Sequence, residues 1–178
     1  FCCMKRSWVF WLPVAASIAM FATFFVALVR PADRTIVSQL VGQPLPAFDA
    51  PAAMPDQAGT SSRDYADGKP RLLNVFASWC GPCVAEIPVL LQLQAMGVEI
   101  NGVAIHDKPA DLARFFAENG NPYARVGLDQ GGRAQIAFGS AGVPETFIID
   151  GKGRVVDQHI GVITEADIPD ILAKLKGS

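Results

Sequence analysis

A chain of 178 residues is long enough for one globular domain with a proper core and one further segment. Its net charge is −2 and 51% of its residues are hydrophobic, with the apolar surplus gathered near the N-terminus. The first 34 residues balance at +3 and the rest at −5. No basic run interleaved with aromatics occurs, which excludes nucleic acid as a partner, because phosphate binding needs clustered Lys and Arg.

Residues 1–7 hold Lys5 and Arg6 and are expected to form a short cytoplasmic N-terminus, with Met4 as the natural start. Trp8 to Val29 carries no charge, and about 20 such residues cross a bilayer as a helix. Trp8 and Trp11 suit an interface, and Pro13 lies early in the run, where a helix tolerates it best. A cleaved leader would have a shorter apolar core and a small-x-small site. The run is therefore expected to be one uncleaved transmembrane helix. Lys5 and Arg6 place the remainder outside the cytoplasm, which in a bacterium means an inner-membrane anchor with the C-terminal domain in the periplasm. Residues 30–41 read as a linker and 42–178 as the globular domain.

From Gly42 to Pro70 the chain is rich in Pro, Ala and Asp and leaves room only for short strands and turns. Leu72 to Ala77 reads as a buried strand and Cys80 to Met96 as a helix closed by Gly97 and kinked at Pro88. Val98 to Ile105 is a second strand. Pro109 to Asn119 is a helix burying Leu112, Phe115 and Phe116. A weak strand near Ala124 to Leu128 and a short helix over Gly132 to Phe138 follow. Thr146 to Ile149 and Arg154 to Ile160 form a hairpin about the Asp150-Gly151-Lys152-Gly153 turn. Thr164 to Leu175 is a helix whose Thr164 and Asp167 resemble a capping box. The order β-α-β-α-β-α-β-β-α implies an α/β domain, a mixed central sheet flanked by helices on both faces.

Of the four cysteines, Cys80 and Cys83 alone lie in the globular part. A disulfide three residues apart closes too short a loop to stabilise much, so the spacing suits reversible chemistry. Cys80 falls at a helix N-terminus, where free N–H groups and the dipole favour a thiolate. Cys83 lies one turn in and can resolve a mixed disulfide formed by Cys80. Pro82 fits the first turn because its missing N–H would have no partner. Trp79 is expected to shield one side of the pair. A metal half-site and two inert core thiols are the alternatives. His106 and His159 stand at no metal-ligand spacing; His106 ends a strand and can approach the same edge.

The stretch NVFASWCGPC with AEIPVL resembles the thioredoxin superfamily. GQPLPAFDAP, Gly120-Asn121-Pro122-Tyr123 and Gly142-Val143-Pro144-Glu145-Thr146-Phe147-Ile148-Ile149-Asp150 are similar to the membrane-anchored thiol:disulfide interchange proteins of cytochrome c biogenesis, the DsbE/CcmG type. The resemblance covers roughly residues 38–175 and implies a thioredoxin-like fold without a cofactor or a metal. It implies Cys80 as nucleophile, Cys83 as resolving thiol, Gly81 and Pro82 between them, and Pro144 as a cis-proline that positions substrate. Glu86 and Glu145 become acidic residues near the pair. Glu86 either raises the cysteine pKa and relays a proton to Cys83, or is a solvated first-turn residue. Glu145 either faces the pair or lies on the surface. Where cytoplasmic thioredoxins carry a buried Asp, this chain has Asn74, which takes no proton. The implied partners are apocytochrome c or a haem-ligation component as substrate and a membrane electron donor of the DsbD/CcdA type. A general periplasmic reductase or oxidant, or an apocytochrome-binding module without chemistry, remains the alternative.

Overall fold

The computed structural model describes the backbone of residues 8–29 and 40–177 and the side chains of residues 11–25 and 40–177. Helix α1 (Trp8–Val29) belongs to one compact unit and every later element to a second. α1 keeps Pro13 inside it and has no acidic residue in its first turn or basic residue in its last. Among the described residues no helix is long and apolar enough to cross a membrane, the side chains of α1 being described from 11 to 25 only. The expected 1–7 segment, Cys2, Cys3 and nearly all of the 30–41 linker lie outside the described residues.

The second unit is built on strand β3 (Arg71–Phe76), buried at all six positions. A strand covered on both faces reads as an almost continuous apolar run, as this one does. Five strands line up in the order β5-β4-β3-β6-β7. β4 (Ile100–Ile105) and β5 (Arg125–Asp129) run parallel to β3, whereas β6 (Glu145–Ile149) and β7 (Val155–Ile160) form an antiparallel hairpin against it. Helix α2 (Gly81–Ala95) connects β3 to β4, and α3 (Pro109–Asn119) connects β4 to β5. Both crossovers step the same way across the sheet, so right-handedness puts both helices on one face, where they touch. Asn74 and Phe76 of β3 project to that face, and Phe76 packs on Phe115, Phe116 and Tyr123. Phe147 of β6 projects to the other, against Phe138 at the end of α4 (Arg133–Ala137) and, beyond it, Phe48.

α3 has the bounds read from the sequence because both its stops are local: Pro109 in its first turn and Gly120 at φ 89° after its end. α2 runs through Pro88 to Ala95 as one helix. The last helix departs from the expected single element. A 3₁₀ turn (Glu165–Asp167) precedes α5 (Ile168–Lys176), because Pro169 in the first turn of α5 has no N–H to continue the earlier turn. The capping box is present: the Asp167 carboxylate accepts from Thr164 N–H at 2.8 Å and from Thr164 Oγ1 at 2.7 Å.

The stretch before β3 holds the two-residue strands β1 (Asp49–Ala50) and β2 (Thr60–Ser61) and a 3₁₀ turn (Ser62–Tyr65). This segment covers the free edge of β5. Ala53 N–H donates to Val126 O at 3.0 Å, Val126 N–H to Ala58 O at 3.0 Å and Leu128 N–H to Pro51 O at 2.8 Å. A covered edge cannot recruit a foreign strand. The close approach needs Gly127, where a Cβ would lie 2.5 Å from Ala50 Cβ and 2.9 Å from Ala50 O. Gly127→Ala should therefore cost about 1–3 kcal/mol in a denaturant titration, as overpacking does; unchanged stability would mean that the segment yields freely.

Candidate active site

Cys80 is the N-cap of α2, and its Sγ accepts from Cys83 N–H at 3.2 Å. The two cysteines are joined as a disulfide with Cα atoms 5.2 Å apart. Both cysteines are buried, Cys80 at 5% exposed and Cys83 at 1%. Gly81 and Pro82 fill the exposed first turn between them. Trp79 is 61% exposed, and its indole N–H reaches His106 O at 3.3 Å. It lies over the neighbouring rim with much of its ring open to solvent.

The loops at the ends of the parallel strands are tied together. Asp107, just past β4, accepts from Ser78 N–H at 2.6 Å, Ser78 Oγ at 2.8 Å and Lys108 N–H at 2.8 Å. His106 N–H donates to Asp129 O at 3.1 Å. The turn that leads into Cys80 is thereby fixed to the β4 and β5 loops. Val75 pairs with Glu145, so the register brings Pro144 to the end of β3 from which the cysteine turn departs. The Val143–Pro144 bond is cis.

Behind the pair lies a buried polar cluster. Cys83, Glu86, Ile87, Leu90 and Leu93 form the buried stripe of α2, which places Glu86 on the face of Cys83. Glu86 is 0% exposed, which overturns the reading of it as a solvated first-turn residue. Its Oε1 accepts from Asn74 Nδ2 at 3.0 Å and its Oε2 from Ile163 N–H at 3.3 Å. Asn74 Nδ2 also donates to Thr146 Oγ1 at 2.9 Å, and Asn74 Oδ1 accepts from Tyr123 OH at 2.7 Å. Burial pushes the Glu86 carboxyl up to about 7, against the opposing pull of the Asn74 and Ile163 bonds. Burial also holds the Tyr123 phenol well above its ordinary value.

Glu145 is buried too, which overturns its surface reading. It neighbours Thr146 in an extended strand and so projects to the opposite face of the sheet from Glu86. Its Oε1 accepts from Gln158 Nε2 at 2.6 Å, and burial raises its pKa against the opposing pull of the Ser140 and Gln158 side chains. Among the described residues no group of three or more His, Cys, Asp or Glu could hold a metal ion. Sequence reasoning missed Tyr123, Thr146, Ser78 and Asp107 as members of this site. Asp107 alone left a local sign, a carboxylate between a strand and a Pro-initiated helix.

A CxxC pair at the start of a helix that leaves the central strand of such a sheet defines a thiol:disulfide oxidoreductase of thioredoxin-like fold. The chain belongs to the redoxin family, whose profile matches residues 40–175. It is similar to the thiol:disulfide interchange protein HelX of Rhodobacter capsulatus, 42% identical over 130 residues, 71% of this chain and 72% of that one. It is also similar to the thiol:disulfide interchange protein DsbE of Pseudomonas fluorescens biotype C, 37% identical over 171 residues, 96% of this chain and 93% of that one. Its fold matches the crystal structure of a thiol:disulfide interchange protein, a thioredoxin family protein from Chlorobium tepidum, with TM-score 0.59 and 29% identity over 73% of this chain and 93% of that one.

A carboxyl with a folded pKa near 7 binds its proton more tightly than in the unfolded chain, where the value is 4.5. Its cost to stability is absent below about pH 4.5, grows with pH and is complete above about pH 7. Urea titrations of the oxidised protein at pH 5 and pH 8 should lose up to roughly 3 kcal/mol less across that interval in Glu86→Gln than in the unmodified protein. An equally steep loss in the variant would show that Glu86 does not titrate there.

Proposed function

We propose that the chain is a periplasmic reductase of the DsbE type that keeps the haem-attachment cysteines of apocytochrome c reduced, its dithiol restored by a membrane electron donor of the DsbD/CcdA type. The observation that carries the reading is the placement of the pair: a leading sulfur at the helix cap, a resolving sulfur beneath it, and a buried acid one turn further in.

In the proposed cycle the Cys80 thiolate attacks one sulfur of the substrate disulfide. That S–S bond breaks, the other substrate sulfur leaves with the electron pair and takes a proton, and a mixed disulfide joins Cys80 to the substrate. Cys83 then loses its proton and attacks Cys80 Sγ, releasing the second substrate thiol. Two electrons pass to the substrate, and Cys80–Cys83 is left oxidised. Glu86 is the buried acid placed to take up the Cys83 proton, since Asn74 takes none. Pro144 and Glu145 stand at the strand start where the substrate backbone is assigned. Trp79, exposed beside the pair, offers an apolar contact.

Direction follows from which state the surroundings favour. An oxidant is strong when its thiolate is stabilised. A carboxylate behind Cys83 opposes a thiolate there and favours a reductant. The charge-free run of α1, preceded by Lys5 and Arg6, supports the inner-membrane anchor, with residues 30–41 as its linker to a periplasmic domain.

Cys83→Ala should accumulate a mixed disulfide through Cys80, whose partner, identified by mass spectrometry, is an apocytochrome c or a haem-ligation component. Absence of any adduct on exposure to disulfide substrates would reject the nucleophile assignment. A redox titration of the purified protein should give a potential near about −270 mV, in the thioredoxin range, and a value above about −150 mV would make the chain an oxidant.

A further inference from the structure

We propose that Tyr123 is a positioning residue for Glu86: its hydroxyl proton fixes the Asn74 amide with Nδ2 toward Glu86, and so holds that carboxyl as an acceptor rather than a donor. A side-chain amide has two orientations of nearly equal shape, and its neighbours' protons choose between them. Here Oδ1 meets the phenol at 2.7 Å, while the two Nδ2 protons go to Glu86 Oε1 at 3.0 Å and Thr146 Oγ1 at 2.9 Å. With the amide reversed, Oδ1 would face Glu86, and only a protonated carboxyl could meet it. Nδ2 would then face a phenol oxygen whose proton had lost its acceptor. Burial keeps the phenol protonated, so the proton that selects the observed orientation is always present.

The ring is held independently of its hydroxyl. It stacks on Phe76 with centroids 4.6 Å apart and meets Phe116 edge-on at 5.9 Å. Loss of the hydroxyl alone therefore leaves the packing in place. The groups around Glu86 are Cys83 on its own helix, Asn74 and Thr146 from the sheet, Tyr123 from the segment before β5, and the Ile163 N–H. His159 is paired with Thr146 on β7, but its Nε2 lies 3.2 Å from Val162 O. No charged group contributes to the Glu86 shift, which leaves the amide as the largest influence that opposes burial.

The consequence for exchange rests on the proposed role of Glu86 behind Cys83, whereas the relay itself does not. The test is a pH titration of the Glu86 side-chain carboxyl by carbon-13 NMR in the full oxidised chain. Tyr123→Phe should raise the midpoint by about one pH unit, the worth of one hydrogen bond that changes sign. Asn74→Ala should raise it as well, and Tyr123→Phe added to Asn74→Ala should move it no further. Should Tyr123→Phe fail to fold, Tyr123→Leu must give the same upward shift. An unmoved midpoint in the hydroxyl-free variant, or an equal further shift in the Asn74→Ala background, overturns the proposal. The rate at which dithiothreitol reduces Cys80–Cys83, followed against pH, separates the two readings. If Glu86→Gln leaves that profile unchanged, the role of Glu86 in exchange falls, and the carboxyl titration still decides the relay.

Discussion

The buried amide of Asn74 is the constraint on which the rest of the site depends. It stands on the central strand, and its three hydrogen bonds reach the segment before β5, strand β6 and helix α2. A polar group removed from water costs about 1–3 kcal/mol when left unpaired, and a paired one returns only about 0.5–1.5 kcal/mol. Such a cluster therefore contributes little net stability; what it supplies is geometry. The apolar stripe of Ile87, Leu90 and Leu93 sets which face of α2 meets the sheet, and the amide is satisfied where that face brings Glu86 to it, with Cys83 on the same stripe.

The same economy governs the rim around the disulfide. Loops at the ends of β3, β4 and β5 carry unpaired backbone groups, and Asp107 satisfies the Ser78 and Lys108 N–H groups with one carboxylate. Asp129 does the same for Arg133, Ala134 and Gln135 at the start of α4. The cysteine turn is anchored on its inner side while Trp79 remains open, which suits a turn that must stay in place as the bond above it forms and breaks.

The cysteine pair at the helix start and the helix order were legible because their signs are local. Cys-x-x-Cys before an amphipathic run, Pro109 with Gly120, and the Asp150–Gly153 turn each lie within a few residues. The burial of Glu86 was also written locally, in the stripe of Cys83, Glu86, Ile87, Leu90 and Leu93 at helical spacing. A first-turn acid favoured by the helix dipole competes with that reading, and tertiary packing decides between them. Tyr123 and Thr146 were out of reach, since they lie 49 and 72 residues from Asn74 and join it only through strand pairing. The edge cover by residues 51–58 was equally hidden, because its backbone bonds to β5 leave no side-chain pattern.

On the proposed chemistry, the buried acid one turn behind Cys83 carries a cost that the exchange reaction puts to use. Removing Glu86 from water raises its pKa to about 7, so near neutral pH the group exchanges a proton at little cost in either direction. Neutral, it leaves Cys83 free to ionise; charged, it opposes a second negative charge beside it. The proton released by Cys83 is thus best accommodated on the carboxylate whose charge would otherwise hinder its departure. On the proposed chemistry, one group both lowers the potential of the pair and serves as the base for its resolution. Asn74 holds the two roles in balance, because the same amide proton that stabilises the carboxylate also limits how far burial can neutralise it.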